Sequence, residues 1–148
     1  MSQPFRYYMQ VRYGECDAQK VVFNARYADY IDLAATEFLR SIHDPDQLPN
    51  GGFDYQVVKL IIEWKAPARS RDQLEITVRC TQMGNTSFTL SMDMCNAKTG
   101  QFLASGEMIS VAVHPTTFEK ISIPDLMREA MADDGRGQYV DHAGIHRA

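Results

Sequence analysis

The chain has 148 residues, 45% of them hydrophobic and 23% charged: one domain's worth of sequence, with enough apolar residues for a core. Its formal net charge of -4 at pH 7 argues against a nucleic-acid binder, which would carry a basic face. No run approaches the roughly 18 apolar residues of a membrane span, so neither nucleic acid nor a membrane is an expected partner.

Three cysteines, Cys16, Cys80 and Cys95, form no C-x-x-C pair, and the opening MSQPFRYYMQ has no long apolar core. Both features favour a reducing, cytoplasmic location. Phe5 to Tyr13 alternates, with Phe5, Tyr7, Met9, Val11 and Tyr13 on one side and Arg6, Gln10 and Arg12 on the other, as in a half-buried strand. Gly14 to Phe23 is a loop that carries Glu15, Cys16 and Asp17. From Asn24 to Ser41 the spacing predicts one long helix. Tyr27, Tyr30, Ile31, Ala34, Ala35, Phe38, Leu39 and Ile42 fall on one face at steps of three and four. Asn24 is a good N-cap type, because its side chain can accept from an otherwise orphaned amide.

Breakers fill His43 to Gly52. Tyr55 to Trp64 is a strand apolar on both faces, which suits a strand that also packs in an interface. Ser70-Arg71-Asp72 is a polar turn, and Leu74 to Met83 alternates with Leu74, Ile76, Val78 and Cys80 inward. Gly84-Asn85 reads as a hairpin turn of residues that tolerate positive φ. Phe88, Leu90, Met92 and Met94 share the next inward face, and Lys98-Thr99-Gly100 turns the chain again. Leu103 to His114 is the last strand. Ile109, Val111 and Val113 lie on one side of it, and its small Ala104 and Gly106 let the long helix come close. Pro124 opens a short amphipathic helix, and from Asp133 onward a polar, Gly-containing tail is expected to be mobile. One helix against one antiparallel sheet is an α+β layout.

The acidic loop carries the chemistry. A carboxylate beside bare amides at a helix start can attack a carbonyl or activate water while the amides hold the developing oxyanion. Asp17 is the first candidate, and Glu15 reads as a solvated loop acid. Cys16 has no neighbouring His to activate it. Asp29, Asp32 and Glu37 read as exposed helix charges and partners for Arg26 and Arg40. His142 and His146 have the spacing of metal-binding helices but lie in a polar tail without a Glu, so no zinc site is expected. His43 and His114 stand at element ends and read as surface. There is no G-x-S-x-G and no phosphate-binding glycine loop.

Tyr13, Glu15-Cys16-Asp17, Val21-Val22-Phe23 and Tyr27, followed by Ala66-Pro67-Ala68-Arg69, Asp72 and Leu74, resemble the 4-hydroxybenzoyl-CoA thioesterase family of hotdog-fold acyl-CoA thioesterases. The resemblance covers roughly Val11 to Pro124. It implies a hotdog fold over residues 1–132, with a long central helix against a curved antiparallel sheet of about five strands and residues 133–148 as a polar tail. It also implies an acyl-CoA thioesterase, with Asp17 as nucleophile or general base and the Asn24 backbone amide as oxyanion donor. Phe23 and Tyr27 would wall the acyl pocket. No metal or bound organic cofactor is implied, CoA being part of the substrate, and a homodimer or homotetramer joined edge to edge is expected. Two departures stand out. Gln19-Lys20 occupies a stretch that usually contains Gly, and Gly84-Asn85-Thr86 replaces basic residues that hold CoA phosphates in some members. The nucleotide grip then falls to Lys20, Arg69 and Lys120, with Lys59 and Arg79 as further candidates. Alternatives are a thioesterase acting on acyl carrier protein and a non-catalytic acyl-thioester-binding module.

Overall fold

The computed structural model describes residues 3–42, 48 and 52–146. Its elements are β1 (Phe5–Gln10), α1 (Arg26–Ile42), β2 (Asp54–Trp64), β3 (Gln73–Met83), β4 (Ser87–Asn96), β5 (Phe102–Val113), α2 (Asp125–Ala132) and β6 (Tyr139–Asp141). They form one six-stranded sheet in the order β2-β5-β4-β3-β1-β6, antiparallel except for the β1–β6 pair. Most of the predicted breaker region, His43 included, lies outside the described residues. No described helix is long and apolar enough to cross a membrane.

Helix α1 buries Tyr27, Tyr30, Ile31, Ala34, Ala35, Phe38 and Leu39 against the sheet, as its spacing predicts. Burying each large side chain there contributes about 1.5–3 kcal/mol. The exposed Arg26–Asp29 pair at 3.5 Å and the Arg40–Glu37 pair at 3.8 Å, in which Glu37 is half-buried, contribute at most about 1 kcal/mol each. Packing, not surface charge, therefore holds the helix. Its partners are the inward faces of β1 (Phe5, Tyr7, Met9), β3 (Leu74, Ile76, Val78), β4 (Phe88, Leu90, Met92, Met94) and β5 (Ala104, Met108, Ala112). Ile109 and Val111 lie on the outer face of β5 and are only half-buried.

Several elements depart from the sequence reading. The sheet has six strands and is mixed, because three residues of the polar tail pair with β1. That segment is anchored by side chains from β1. The Tyr7 hydroxyl meets His142 Nδ1 at 2.9 Å, and the Tyr8 ring packs on His146 at 4.8 Å. The Asp141 carboxylate gathers the amides of Ala143, Gly144 and His146. β1 stops at Gln10, and Tyr13, expected inward, is 84% exposed. The chain turns away there because the Arg12 amide donates to Glu15 Oε1, closing a 3₁₀ turn over Tyr13–Glu15. α1 begins at Arg26, two residues later than expected, and Asn24 makes no side-chain hydrogen bond among the described residues, so it is not an N-cap. The Gly84-Asn85 turn uses no positive φ. It is held instead by the Gly84 amide on Ser87 O and by Arg128, which donates to the carbonyls of Gly84 and Asn85.

At Gly106 a Cβ would stand 2.5 Å from Ile31 Cδ1, so the small residue does permit α1's close approach to β5. Gly106→Val is expected to destabilise the fold by about 1–3 kcal/mol, the usual cost of overpacking. Urea denaturation checks this, and Ile31→Ala in the same chain should recover part of the loss.

Candidate active site

Residues 16–22 form a small hairpin. Cys16 pairs with Val22, the Asp17 amide donates to Val21 O at 2.8 Å, and the Lys20 amide donates to Asp17 O at 2.9 Å. Asp17 is exposed, and its Oδ1 accepts from the Gln19 amide at 2.8 Å. The hairpin is stitched to the loop after β2. Val21 bridges to Arg69, and the Val22 amide donates to Ala68 O. Asp17 is thus one backbone hydrogen bond from Val21.

Val21 is a wall of a cleft of about 210 Å³ lined also by Val22, Asn24, Tyr27, Trp64, Lys65, Ala66 and Pro67. The backbone enters α1 here through bonds from the Arg26 amide to Phe23 O and from the Tyr27 amide to Asn24 O. The Asn24 amide itself has no acceptor among the described residues. It lies two residues before the first residue of α1, near the positive end of the helix dipole. Tyr27 is buried, and its hydroxyl accepts from the Ala68 amide at 3.1 Å. Burial raises its pKa, so the phenol stays protonated at neutral pH. The Trp64 ring stands edge-on to Tyr27 at 6.1 Å and is half exposed at the cleft mouth.

The cleft therefore brings together the Asn24 amide and Tyr27, with Asp17, Lys20 and Arg69 on the segments hydrogen-bonded to its wall. Phe23 is mostly exposed beside it and lines no part of it. Lys120 lies apart from this cleft. It bridges to Val113, which the β2–β5 register sets opposite Asp54, whereas Trp64 lies opposite Ala104. The length of β2, about 30 Å at 3.3 Å per residue, separates Lys120 from the cleft of its own chain. Trp64 and Lys65 were not singled out as site residues, although the Ala66-Pro67-Ala68-Arg69 motif marks their segment. Among the described residues no three His, Cys, Asp or Glu side chains group as metal ligands.

Glu15, read as a solvated loop acid, is a correction. It is only 7% exposed. Its Oε1 accepts from the Arg12 amide at 2.8 Å and the Tyr30 hydroxyl at 3.0 Å, and its Oε2 accepts from the Arg12 guanidinium at 3.0 Å. Burial pushes its pKa up, but these bonds and the Arg12 charge outweigh it and hold the carboxyl below its ordinary value.

Comparison with known proteins gives a consistent picture. The model of the Thioesterase superfamily matches residues 19–102, more than half of the chain and beginning just after Asp17. The Acyl-CoA thioester hydrolase YbgC of Escherichia coli is 34% identical over 121 residues, covering 81% of this chain and 90% of that protein. Among solved structures, a gentisyl-coenzyme A thioesterase superposes with a TM-score of 0.75 at 26% identity, covering 86% of this chain and 99% of its own. A 1,4-dihydroxy-2-naphthoyl-CoA thioesterase from Synechocystis reaches a TM-score of 0.76 at 24% identity, over 87% of this chain and 96% of its own, a likeness of fold.

The Glu15 geometry sets a pH dependence. Because its folded-state pKa is depressed, its contribution is present above the ordinary value of 4.5 and is lost as pH falls through the folded value. Glu15→Ala should cost about 1–3 kcal/mol at pH 7, the penalty for stranding the buried Tyr30 hydroxyl and Arg12 amide. Urea titrations at neutral and acid pH check it: the gap between variant and parent should narrow in acid.

Proposed function

Because the chain belongs to the Thioesterase superfamily, we propose that it hydrolyses acyl-CoA thioesters in the cleft beside Tyr27, with Asp17 as the catalytic carboxylate and the Asn24 amide as the oxyanion donor. One observation carries this reading. Asn24, whose amide has no acceptor among the described residues, lines the cleft, and the wall residue Val21 is hydrogen-bonded to Asp17.

A thioester carbonyl gains negative charge as it is attacked. The Asn24 N–H, near the positive end of α1, is the donor proposed to stabilise that charge. Asp17 either attacks the carbonyl carbon, giving a mixed anhydride that water then opens, or takes a proton from the attacking water. Both routes expel CoA as the thiol and release the free acid. Tyr27 walls the acyl group, Phe23 stands outside the cleft, and Lys20 and Arg69 stand as cations at the mouth. The chemistry so written uses no metal and no bound organic cofactor; CoA enters as part of the substrate.

Asp17→Asn is expected to keep the fold and lower kcat by about 10²–10⁴, the usual worth of a positioned acid or base. Cys16→Ser should leave the rate near normal. Thiol release from a panel of acyl-CoA thioesters checks both, and a folded Asn variant with normal turnover would sink the assignment.

Assembly belongs to the same proposal. β2 is the open edge of the sheet, eleven residues long, with Val57, Val58, Ile61 and Trp64 all substantially exposed and Val58 62% so. Long apolar edges are avoided by natural monomers, so a second copy is proposed to add at β2. Light scattering should report at least a dimer at micromolar concentration. Val58→Lys should shift the population toward monomer.

A further inference from the structure

We infer that Lys20, Lys65, Arg69 and Arg71 form a cationic rim that binds the diphosphate and 3′-phosphate of a CoA thioester. This rests on the thioesterase reading for its ligand, but on separate observations for its residues.

The first observation is where the charge lies. The two segments that build the cleft, residues 12–26 and 64–72, hold six cations (Arg12, Lys20, Arg26, Lys65, Arg69, Arg71) against three carboxylates (Glu15, Asp17, Asp72), a balance of +3 in a chain whose total is -4. Two of those cations are paired at short range, Arg12 with Glu15 and Arg26 with Asp29. Lys20, Lys65, Arg69 and Arg71 are exposed and have no ion pair among the described residues. The nearby carboxylates are already engaged by backbone: Asp72 Oδ2 accepts from the Arg69 amide and Asp17 Oδ1 from the Gln19 amide.

Placement is the second. Lys65 lines the cleft, Arg69 is bridged to its wall residue Val21, and Lys20 precedes Val21. Arg71 lies two residues beyond Arg69, its amide on Val11 O. In a CoA thioester the phosphates sit at the far end of a long pantetheine arm from the reacting carbonyl. Their cations therefore belong on the rim of a cleft, not on its floor.

Backbone conformation is the third, and it is independent of charge. Of the described non-glycine residues only four have positive φ, and two are Lys20 at 65° and Arg71 at 72°. Lys20 ends the tight Asp17–Lys20 turn at the position where hairpins ordinarily place glycine. Arg71 is the third residue of the turn closed by the Asp72 amide on Arg69 O, again a glycine position. A side chain there carries a steric cost that glycine does not. Two long cations in these positions, on two loops joined at one bridge, point to a use for the charge. The Gly84–Asn85 hairpin turn offers no substitute: it carries no cation, and Arg128 occupies its carbonyls.

The test is the double variant Lys20→Gly/Arg71→Gly, read by three measurements. Calorimetric titration with free CoA should show Kd raised about 5- to 30-fold, two exposed charge contacts of ordinary strength. The thermal midpoint should not fall, because glycine suits both positions. KM should rise far more for an acyl-CoA than for the same acyl group on pantetheine. Lys20→Arg/Arg71→Lys should restore CoA binding, and the parent's affinity should drop as salt is raised. CoA binding that is absent in the parent, or unchanged in the glycine variant, overturns the rim. So do equal kcat/KM values for CoA and pantetheine thioesters in the parent, which would also favour a carrier-protein substrate. CoA binding that depends on the rim, without hydrolysis of any acyl-CoA, would instead overturn the hydrolase reading and leave the rim standing.

Discussion

A single buried carboxylate holds the loop before α1 and the start of that helix in register. Glu15 binds the Arg12 amide and guanidinium on the incoming chain and the Tyr30 hydroxyl on α1, and its own carbonyl accepts from the Phe23 amide at the far side of the loop. Desolvating a carboxylate costs several kcal/mol. Charge-assisted bonds of about 1.5–3 kcal/mol each offset it. The local sum is small, but the geometric consequence is large. The start of the loop, its end and the first turns of the helix are tied to one residue. Asp17, two residues on, inherits that position without being buried itself.

The two elements proposed to react are supplied by different means. The carboxylate comes from a side chain on a tight hairpin. The proposed oxyanion donor is a backbone amide just before α1 that has no acceptor among the described residues. Neither the free amide nor its direction depends on the asparagine side chain, which makes no hydrogen bond among the described residues. The cleft between them is closed on its other side by the segment after β2, held by Lys65 and Ala66 amides on Leu103 O and by the Ala68 amide on the Tyr27 hydroxyl. The site is thus a junction of three loops stitched by main-chain bonds.

Such junctions explain what the sequence discloses and what it hides. The face of α1 is fully legible, because a period of three to four residues reports directly on burial, and the same holds for the inward residues of β3 and β4. Tyr13 is misread because alternation cannot see a turn closed by a side chain three residues ahead. Glu15 looks like a solvent acid because its partner Tyr30 is fifteen positions away. Lys120 is displaced because element ends can be read from pattern, but which end of the sheet they occupy needs the β2–β5 register. Strand β6 is short and polar, and its place is set by contacts with Tyr7 and Tyr8 far back in the chain.

The two edges of the sheet are managed differently, and the difference follows from composition. The β1 edge carries Arg6, Tyr8 and Gln10 on its outer side, and β6 covers it in parallel register, with Arg6 over the Tyr139 ring at 5.5 Å and donating to Gly137 O. A parallel add-on of three residues satisfies that edge from within the chain. Nothing among the described residues does so for β2, whose eleven residues pair only with β5. Its one irregularity, the register shift between Val57 and Lys59, leaves the exposed Val58 at the shift. Edges meant to stay in water are shortened, charged or covered. Only Lys59 and Glu63 bring charge to this one between Val57 and Trp64, so its backbone donors and acceptors are left beside apolar side chains on both faces. That combination rewards pairing with another strand far more than it rewards solvation.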